Sequence, residues 1–284
     1  MPDFIKELNE PQQQAVKSID GPNMILAGAG SGKTRVLTYR IAYLLSKGID
    51  SFNILALTFT NKAAKEMRER IESIVGLEAR SLWMGTFHSI FAKILRNEHE
   101  KIGFPYTFTI YDTIDAKNLI KSIIKELGLD DKIYKPGMVY NRISAAKNNL
   151  ISSKIYVDDN SIATEDKRMG KPKIGKIYAI YSNRCIKSGA MDFDDLLFKT
   201  YELFIKFPET LKKYQKLYKY ILVDEYQDTN YAQYSIVKML AKAYQNICVV
   251  GDDAQSIYSF RGANIENILN FRNDYTNSKS FKLE

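Results

Sequence analysis

The sequence predicts an α/β fold, a parallel sheet interrupted by an inserted all-helical subdomain, and three observations carry that expectation. Apolar runs alternate with amphipathic stretches of βα length up to about residue 111 and again from about 217. Between these limits the periodicity is helical, with no convincing buried strand. A glycine-rich loop stands directly between the first apolar run and the helix after it. The expected division is 1–111 with 217–284 for the sheet domain and 112–216 for the helical insertion.

In chain order, a helix is expected over 11–19, a strand over 23–27, a helix over 33–46, a strand over 53–57, a helix over 61–74, a strand over 82–85 and a helix over 87–99. Short apolar strands separated by helices require parallel crossovers, which cover both faces of the sheet. The insertion carries helical stretches at 113–126, 136–149, 173–188 and 192–206, with a charged, Gly- and Pro-bearing segment, KRMGKPKIGK, at 167–176. That segment is a solvated loop or a phosphate contact. Strands return at 219–223 (KYILV) and 246–250 (NICVV), a polar stretch opens a further helix at 263–271, and SKSFKLE reads as the start of another strand.

Composition bounds the function classes. With 284 residues, 45% hydrophobic and 26% charged, the chain can bury a real core, and no run approaches the ~18 apolar residues of a membrane-spanning helix. The N-terminus MPDFIKELNE has no apolar signal core, which leaves the cytoplasm as the default location, and the well-separated Cys185 and Cys248 suit reduced core thiols. A net charge of +8 favours polyanionic partners without identifying one. The 19 tyrosines and 14 phenylalanines could interleave with basic residues as a stacking surface, although core filling accounts for most aromatic rings.

Residues 27–34, AGAGSGKT, turn from the apolar run Met24–Ala27 into a helix, which is the arrangement that binds a nucleoside triphosphate. The backbone of Gly28, Ala29, Gly30, Ser31 and Gly32 can approach phosphate oxygens, Lys33 supplies a point charge to the β- and γ-phosphates, and the Thr34 hydroxyl can hold Mg²⁺. Ala27 stands where the general pattern has its first glycine, which is tolerable if that backbone lies in a region open to L-residues. Gly28, Gly30 and Gly32 would keep the freedom that the turn needs.

Farther along, Tyr220–Val223 runs into Asp224, Glu225, Tyr226, Gln227 and Asp228, placing paired carboxylates at the carboxyl end of a buried strand, where open α/β sheets bind ligands. Asp224 would share the Mg²⁺ with Thr34, and Glu225 would orient and deprotonate the attacking water. Alone, the pair reads more readily as a solvated acidic turn; the phosphate loop in the same chain reverses that and favours the catalytic role. The next strand ends GDDAQSIY (251–258), where Gln255 could meet the γ-phosphate or the water, or simply bond backbone in a turn. In LNEPQQQAV, Gln12 could read the N6 and N7 edge of adenine, or be one of many surface glutamines.

Taken together, these stretches resemble the UvrD/PcrA/Rep group of superfamily one DNA helicases. LNEPQQQAV is similar to the family's Q motif, AGAGSGKT to motif I, TFTNKAA (58–64) to motif Ia, GTFHS (85–89) to motif Ib, MDFDDL (191–196) to the short motif before the second nucleotide strand, VDEYQDTN (223–230) to motif II and GDDAQSIYSFRGA (251–263) to motif III. The family's own motif I begins with Ala, as here at Ala27, and ISAAKNNL (143–150) resembles the family's helical 1B subdomain. The resemblance implies a RecA-like P-loop NTPase domain, 1A, with 1B inserted in it. ATP and Mg²⁺ are the implied cofactors, with 3′→5′ movement on single-stranded DNA and contact with junction DNA.

Residue by residue, it implies Gln12 and Arg35 at the adenine, Lys33 and Thr34 at the phosphates and Mg²⁺, Asp224 at the metal, Glu225 at the water and Gln255 at the γ-phosphate. Arg261 either reaches the γ-phosphate, couples nucleotide to DNA or shapes an Arg-Gly turn. Phe59, Thr60, Asn61, Thr86, His88, Tyr258 and Phe260 would lie along the DNA, with Phe59 and Phe260 stacking on bases; Phe260 replaces the family's usual Trp and offers a smaller face. For Phe59 a core position is the alternative.

Motifs IV to VI and the second RecA-like domain that carries them do not occur in this sequence. The arginines they contribute in the family are of a kind worth roughly 10³–10⁵ in rate in related phosphoryl-transfer systems, so the chain alone is expected to bind ATP weakly and turn it over poorly; it is separately expected to be a monomer. The other readings are a nucleotide-dependent DNA-binding regulatory module and a helicase-nuclease subunit of the AddA/RecB type, against which the compact spacing argues.

Overall fold

A computed structural model describes residues 2–28, 30–252, 267 and 270–283. The chain forms two compact units, Met1–Ile90 with Phe204–Glu284, and Phe91–Leu203. The divisions fall inside two helices, Phe87–Asn97 and Phe193–Lys206. Helical periodicity runs unbroken through both, so nothing in the sequence marks these points, and the sequence-based limits at 111/112 and 216/217 lie elsewhere.

The first unit is a RecA-like α/β fold. Its strands are β1 (Asn23–Ala27), β2 (Ile54–Thr58), β3 (Trp83–Thr86), β6 (Tyr220–Val223), β7 (Ile247–Gly251) and β8 (Lys279–Leu283), in the order β3-β2-β6-β7-β1-β8 and parallel throughout. All residues of β2 and β7 are buried, which explains why these strands read as continuous apolar runs without alternation. The edge strand β8 instead exposes Lys279, Ser280 and Lys282 and buries Leu283, as an edge facing water should.

Helices α1 (Glu10–Lys17), α2 (Lys33–Ser46), α3 (Asn61–Val75) and α13 (Tyr231–Ala241) belong to this unit. Ile5, Val16, Ile25, Val36, Leu37, Ile41, Ile54, Met67, Ile71 and Val250 share one core. Arg40 is buried in α2, and its guanidinium donates to the carbonyls of Ala15 and Ser18, satisfying the open end of α1. The sequence reading did not include α13 or α12 (Pro208–Leu217). Its helix at 263–271 falls largely outside the described residues.

The second unit holds α5 (His99–Ile102), α6 (Thr113–Glu126), α7 (Pro136–Asn148), α8 (Ser153–Asp158), α9 (Asn160–Arg168) and α10 (Ile174–Lys187), around Ile120, Ile124, Val139, Ile143, Ile177, Tyr178 and Tyr181. It is not free of strands, as the sequence reading expected: β4 (Thr109–Tyr111) pairs in parallel with the buried β5 (Ala190–Asp192). Three-residue strands are too short to show alternation, so this ladder leaves no pattern to read. α8 and α9 escaped for a related reason, being only six and nine residues long. Helices α4 (Phe87–Asn97) and α11 (Phe193–Lys206) contribute to the two units on either side of the divisions.

Candidate functional site

The sheet order decides what meets at the carboxyl edge. Because β6, β7 and β1 are neighbours, the loop after β1, the acidic run after β6 and the residue after β7 come together. In the loop, the Ser31 hydroxyl and backbone N–H both donate to the Gly28 carbonyl, at 2.7 and 3.3 Å, and Gly30 and Gly32 adopt φ of +81° and +90°. These two are the glycines whose freedom the turn uses; Gly28 lies outside the left-handed region, and Ala27 is still in β1, where a methyl costs nothing. A Cβ on Gly32 would also come within 2.9 Å of Gln12 Nε2.

Lys33 begins α2, and its ammonium lies 3.2 Å from Glu225 Oε2 and 3.6 Å from Asp252 Oδ2. A cation at a helix N-terminus, beside backbone N–H groups without intrahelical partners, is the preformed half of a phosphate site. Thr34 follows on the same turn, half-buried. Asp224 is buried at the end of β6, where burial and the charge of Glu225 push its carboxyl up to about 6. Glu225 sits at φ +47°, a conformation rare for a non-glycine residue. Burial, with Glu225 adding, raises Asp228 too.

Among the described residues no group of three or more His, Cys, Asp or Glu gathers as a metal cage. The donor set nevertheless fits Mg²⁺, which takes one or two carboxylates with substrate phosphates rather than a full protein cage, and a buried carboxylate held above its usual range is one whose charge a divalent cation would relieve.

Gln12 stands against the loop. Its amide N–H donates to the Ser31 carbonyl at 3.1 Å while its oxygen accepts the Asn9 N–H at 3.3 Å, closing the capping box of α1. Arg35 is exposed nearby; it donates to the Glu7 carbonyl at 3.1 Å and lies 5.3 Å over the Tyr39 ring.

The residues expected along DNA gather at the other end of the same edge. Thr58 pairs with Thr86 across β2 and β3, so Phe59, Thr60 and Asn61 adjoin Thr86 and His88. Phe59 is half-buried and packs on Phe87 with ring centroids 5.4 Å apart; Thr60 caps α3 by accepting the Ala63 N–H at 3.0 Å, and Asn61 is exposed. Thr86 is buried and accepts the Ser89 N–H at 3.2 Å, and His88 is half-buried. Ala29, Gln255, Tyr258, Phe260 and Arg261 lie outside the described residues.

One residue of this edge was passed over in the sequence. Gln227, buried in the turn Tyr226–Asp228, donates to Glu225 Oε2 at 2.8 Å and accepts the Asp252 N–H at 3.2 Å. Its only signal was its place two residues after Glu225, which in a sequence is indistinguishable from turn polarity.

Residues 8–276 match the family described as UvrD/REP helicase N-terminal domain. The chain is 48% identical to the ATP-dependent DNA helicase PcrA of Staphylococcus epidermidis over 282 residues, 49% identical to that of Bacillus subtilis over 289, and 47% identical to that of Staphylococcus aureus over 282. Each alignment covers 99% of this chain, and the chain spans only 37–38% of the length of these relatives.

Proposed function

Because this chain belongs to the UvrD/REP helicase N-terminal domain family, we propose that it is the ATP-binding and hydrolysing part of a DNA helicase that moves 3′→5′ on single-stranded DNA and unwinds duplex. The observation that carries the reading is Lys33, placed at the start of α2 and bridging Glu225 and Asp252. Its ammonium can transfer from these carboxylates to the phosphates, which frees Glu225 to take a proton from an attacking water. Thr34 and Asp224 would hold Mg²⁺, which supplies charge neutralisation at the transferring phosphoryl group.

Gln12 and Arg35 with Tyr39 border the side where an adenine would lie, and Gln255 and Arg261 are assigned to the γ-phosphate by family resemblance. Phe59 to Asn61, Thr86 and His88, with Tyr258 and Phe260, are the proposed single-strand track, including at junctions. The sheet order supports the assignment of Phe59 to Asn61, Thr86 and His88, which follow β2 and β3 in the sheet that also carries the nucleotide loop. The division into a domain 1A and an inserted subdomain 1B follows the same resemblance. We assign the chain alone to a monomer of the cytoplasm; among the described residues no helix is long and apolar enough to cross a membrane.

Full turnover is assigned to a longer chain with a second RecA-like domain, in keeping with the share of its relatives that this chain spans. The test is ATP turnover with and without a single-stranded oligonucleotide, on this chain and on the full chain its gene encodes. DNA-stimulated hydrolysis by the full chain, reduced about 10²–10⁴-fold by Glu225→Gln with nucleotide binding retained, is expected. DNA-dependent hydrolysis by these 284 residues alone would instead favour an independent nucleotide-switched DNA-binding module.

A further inference from the structure

We infer that Gln227 is a positioning residue that fixes the carboxylate of Glu225 against the backbone at the end of β7; the inference rests on the proposed role of Glu225 as the base. The Asp252 N–H can only donate, so the amide oxygen of Gln227 must face it, at 3.2 Å. That turns the amide NH₂ toward Glu225 Oε2, at 2.8 Å, and an ionised carboxylate can only accept. Neither end of the amide can be exchanged without losing both bonds. Gln227 therefore ties together the turn after β6 and the first residue after β7, across neighbouring strands paired at Val223 and Val249.

The need for such a tie is visible in Glu225 itself. Its side chain is about one-third exposed, at 34%, and among the described residues the carboxylate's other polar partner is the Lys33 ammonium at 3.2 Å. Once Lys33 turns to phosphates, that contact is lost, and a partly exposed glutamate would sample several rotamers. Gln227 needs no such release, because its bonds run to a carboxylate and a backbone N–H and to nothing a phosphate would displace. Among the described residues both bonds fall on Oε2, which leaves Oε1 to face a water.

The test uses the full chain encoded by the gene, with Gln227→Met, which keeps the volume and removes both bonds, and Gln227→Asn, which keeps an amide one methylene too short to reach both partners. Both variants are expected to lower kcat for ATP about 10–100-fold with KM within about twofold, the signature of a misplaced group rather than lost substrate affinity. Binding of a fluorescent ADP analogue, unchanged in both, shows that the nucleotide pocket is folded. Single-turnover rates then separate the routes: on a Glu225→Gln background, Gln227→Met should lower the residual rate less than twofold, because the residue it positions is already disabled. An equal drop on both backgrounds, or an unchanged kcat in both single variants, overturns the inference while leaving the base assignment standing. If Glu225→Gln itself hydrolyses ATP at the normal rate, the base assignment fails and the inference falls with it.

Discussion

Each unit of this protein sets one lysine between two carboxylates, and the two arrangements differ in every respect that matters. In the second unit the Lys147 ammonium lies 2.7 Å from Asp192 and 2.8 Å from Asp195, its side chain is 2% exposed, and Tyr181 adds a bond to Asp192 at 2.7 Å. In the first, Lys33 is 3.2 and 3.6 Å from its partners, 10% exposed, and borders a glycine loop. Burial works against the charge of Lys147, yet Asp192 and Asp195 hold its pKa well above the ordinary value. The tight set is structural, since the buried ammonium is already held by two carboxylates at hydrogen-bond distance. The loose set is poised, because a stronger anion can take the cation away. Composition alone does not separate them; distance and access to water do.

The comparison breaks most sharply when each lysine is removed. Lys147→Met should destabilise the protein by about 3–5 kcal/mol, since it leaves buried carboxylates uncompensated, with the loss read by denaturant unfolding. Lys33→Met should cost less than Lys147→Met by the same measurement, because its contacts are longer and one of its partners, Glu225, is partly exposed. Its effect appears instead in nucleotide affinity, lowered roughly 10–100-fold with the loss of charged hydrogen bonds to phosphate. Equal destabilisation by the two substitutions would erase the distinction.

Asp224 sharpens the contrast from the other side. Held up to about 6 by burial and Glu225, its ionised form costs the first unit stability above that pH. Asp224→Asn keeps an acceptor for the Glu225 N–H, now at 3.1 Å, and removes the charge. Stability at pH 8 should rise by about 2–3 kcal/mol while Mg²⁺-dependent hydrolysis is lost. A fall in melting temperature would show that Asp224 holds the fold together.

The smallest expected effect is a pH dependence in the second unit. Burial and the charge of Asp192 push Asp195 up to about 6, whereas Lys147 outweighs burial at Asp192 and holds it below the usual range. The folded chain therefore takes up a proton at Asp195 between about pH 6 and 4 that the unfolded chain does not, so this contribution to stability grows as pH falls through 6. Asp192 has the opposite sign, its contribution being lost only below about pH 4. In thermal melts, the advantage of the unsubstituted chain over Asp195→Asn should increase from pH 7 to pH 5. A constant difference across that window removes Asp195 as the titrating group.

Much of the fold could be read from residue order. Strand 23–27 and helices 33–46 and 113–126 coincide with β1, α2 and α6, because long apolar periods and a glycine loop mark their own limits. The shorter elements, β4, β5, α8 and α9, carry too few residues for a period to emerge, and their stability comes from neighbours distant in sequence. At the candidate site, Lys33, Asp224 and Glu225 stood out by their type and place after apolar strands. Gln227 did not, since a glutamine acquires its role only from what lies at each end of its amide.

The sequence by itself determined the alternation of strands and helices, the glycine-rich loop between β1 and α2, the paired carboxylates and the family, all of which depend on local order and spacing. Only the tertiary structure decided that β6, β7 and β1 are neighbours, so that Glu225 and Asp252 both reach Lys33, and that β2 and β3 gather the proposed DNA residues on the same edge. It likewise decided that Lys147 meets Asp192 and Asp195, 45 residues on in the closest bond, with all three buried. The reason is physical: hydrogen-bond distance and desolvation are properties of groups brought together across the chain, and neither is written in the neighbours of a residue along it.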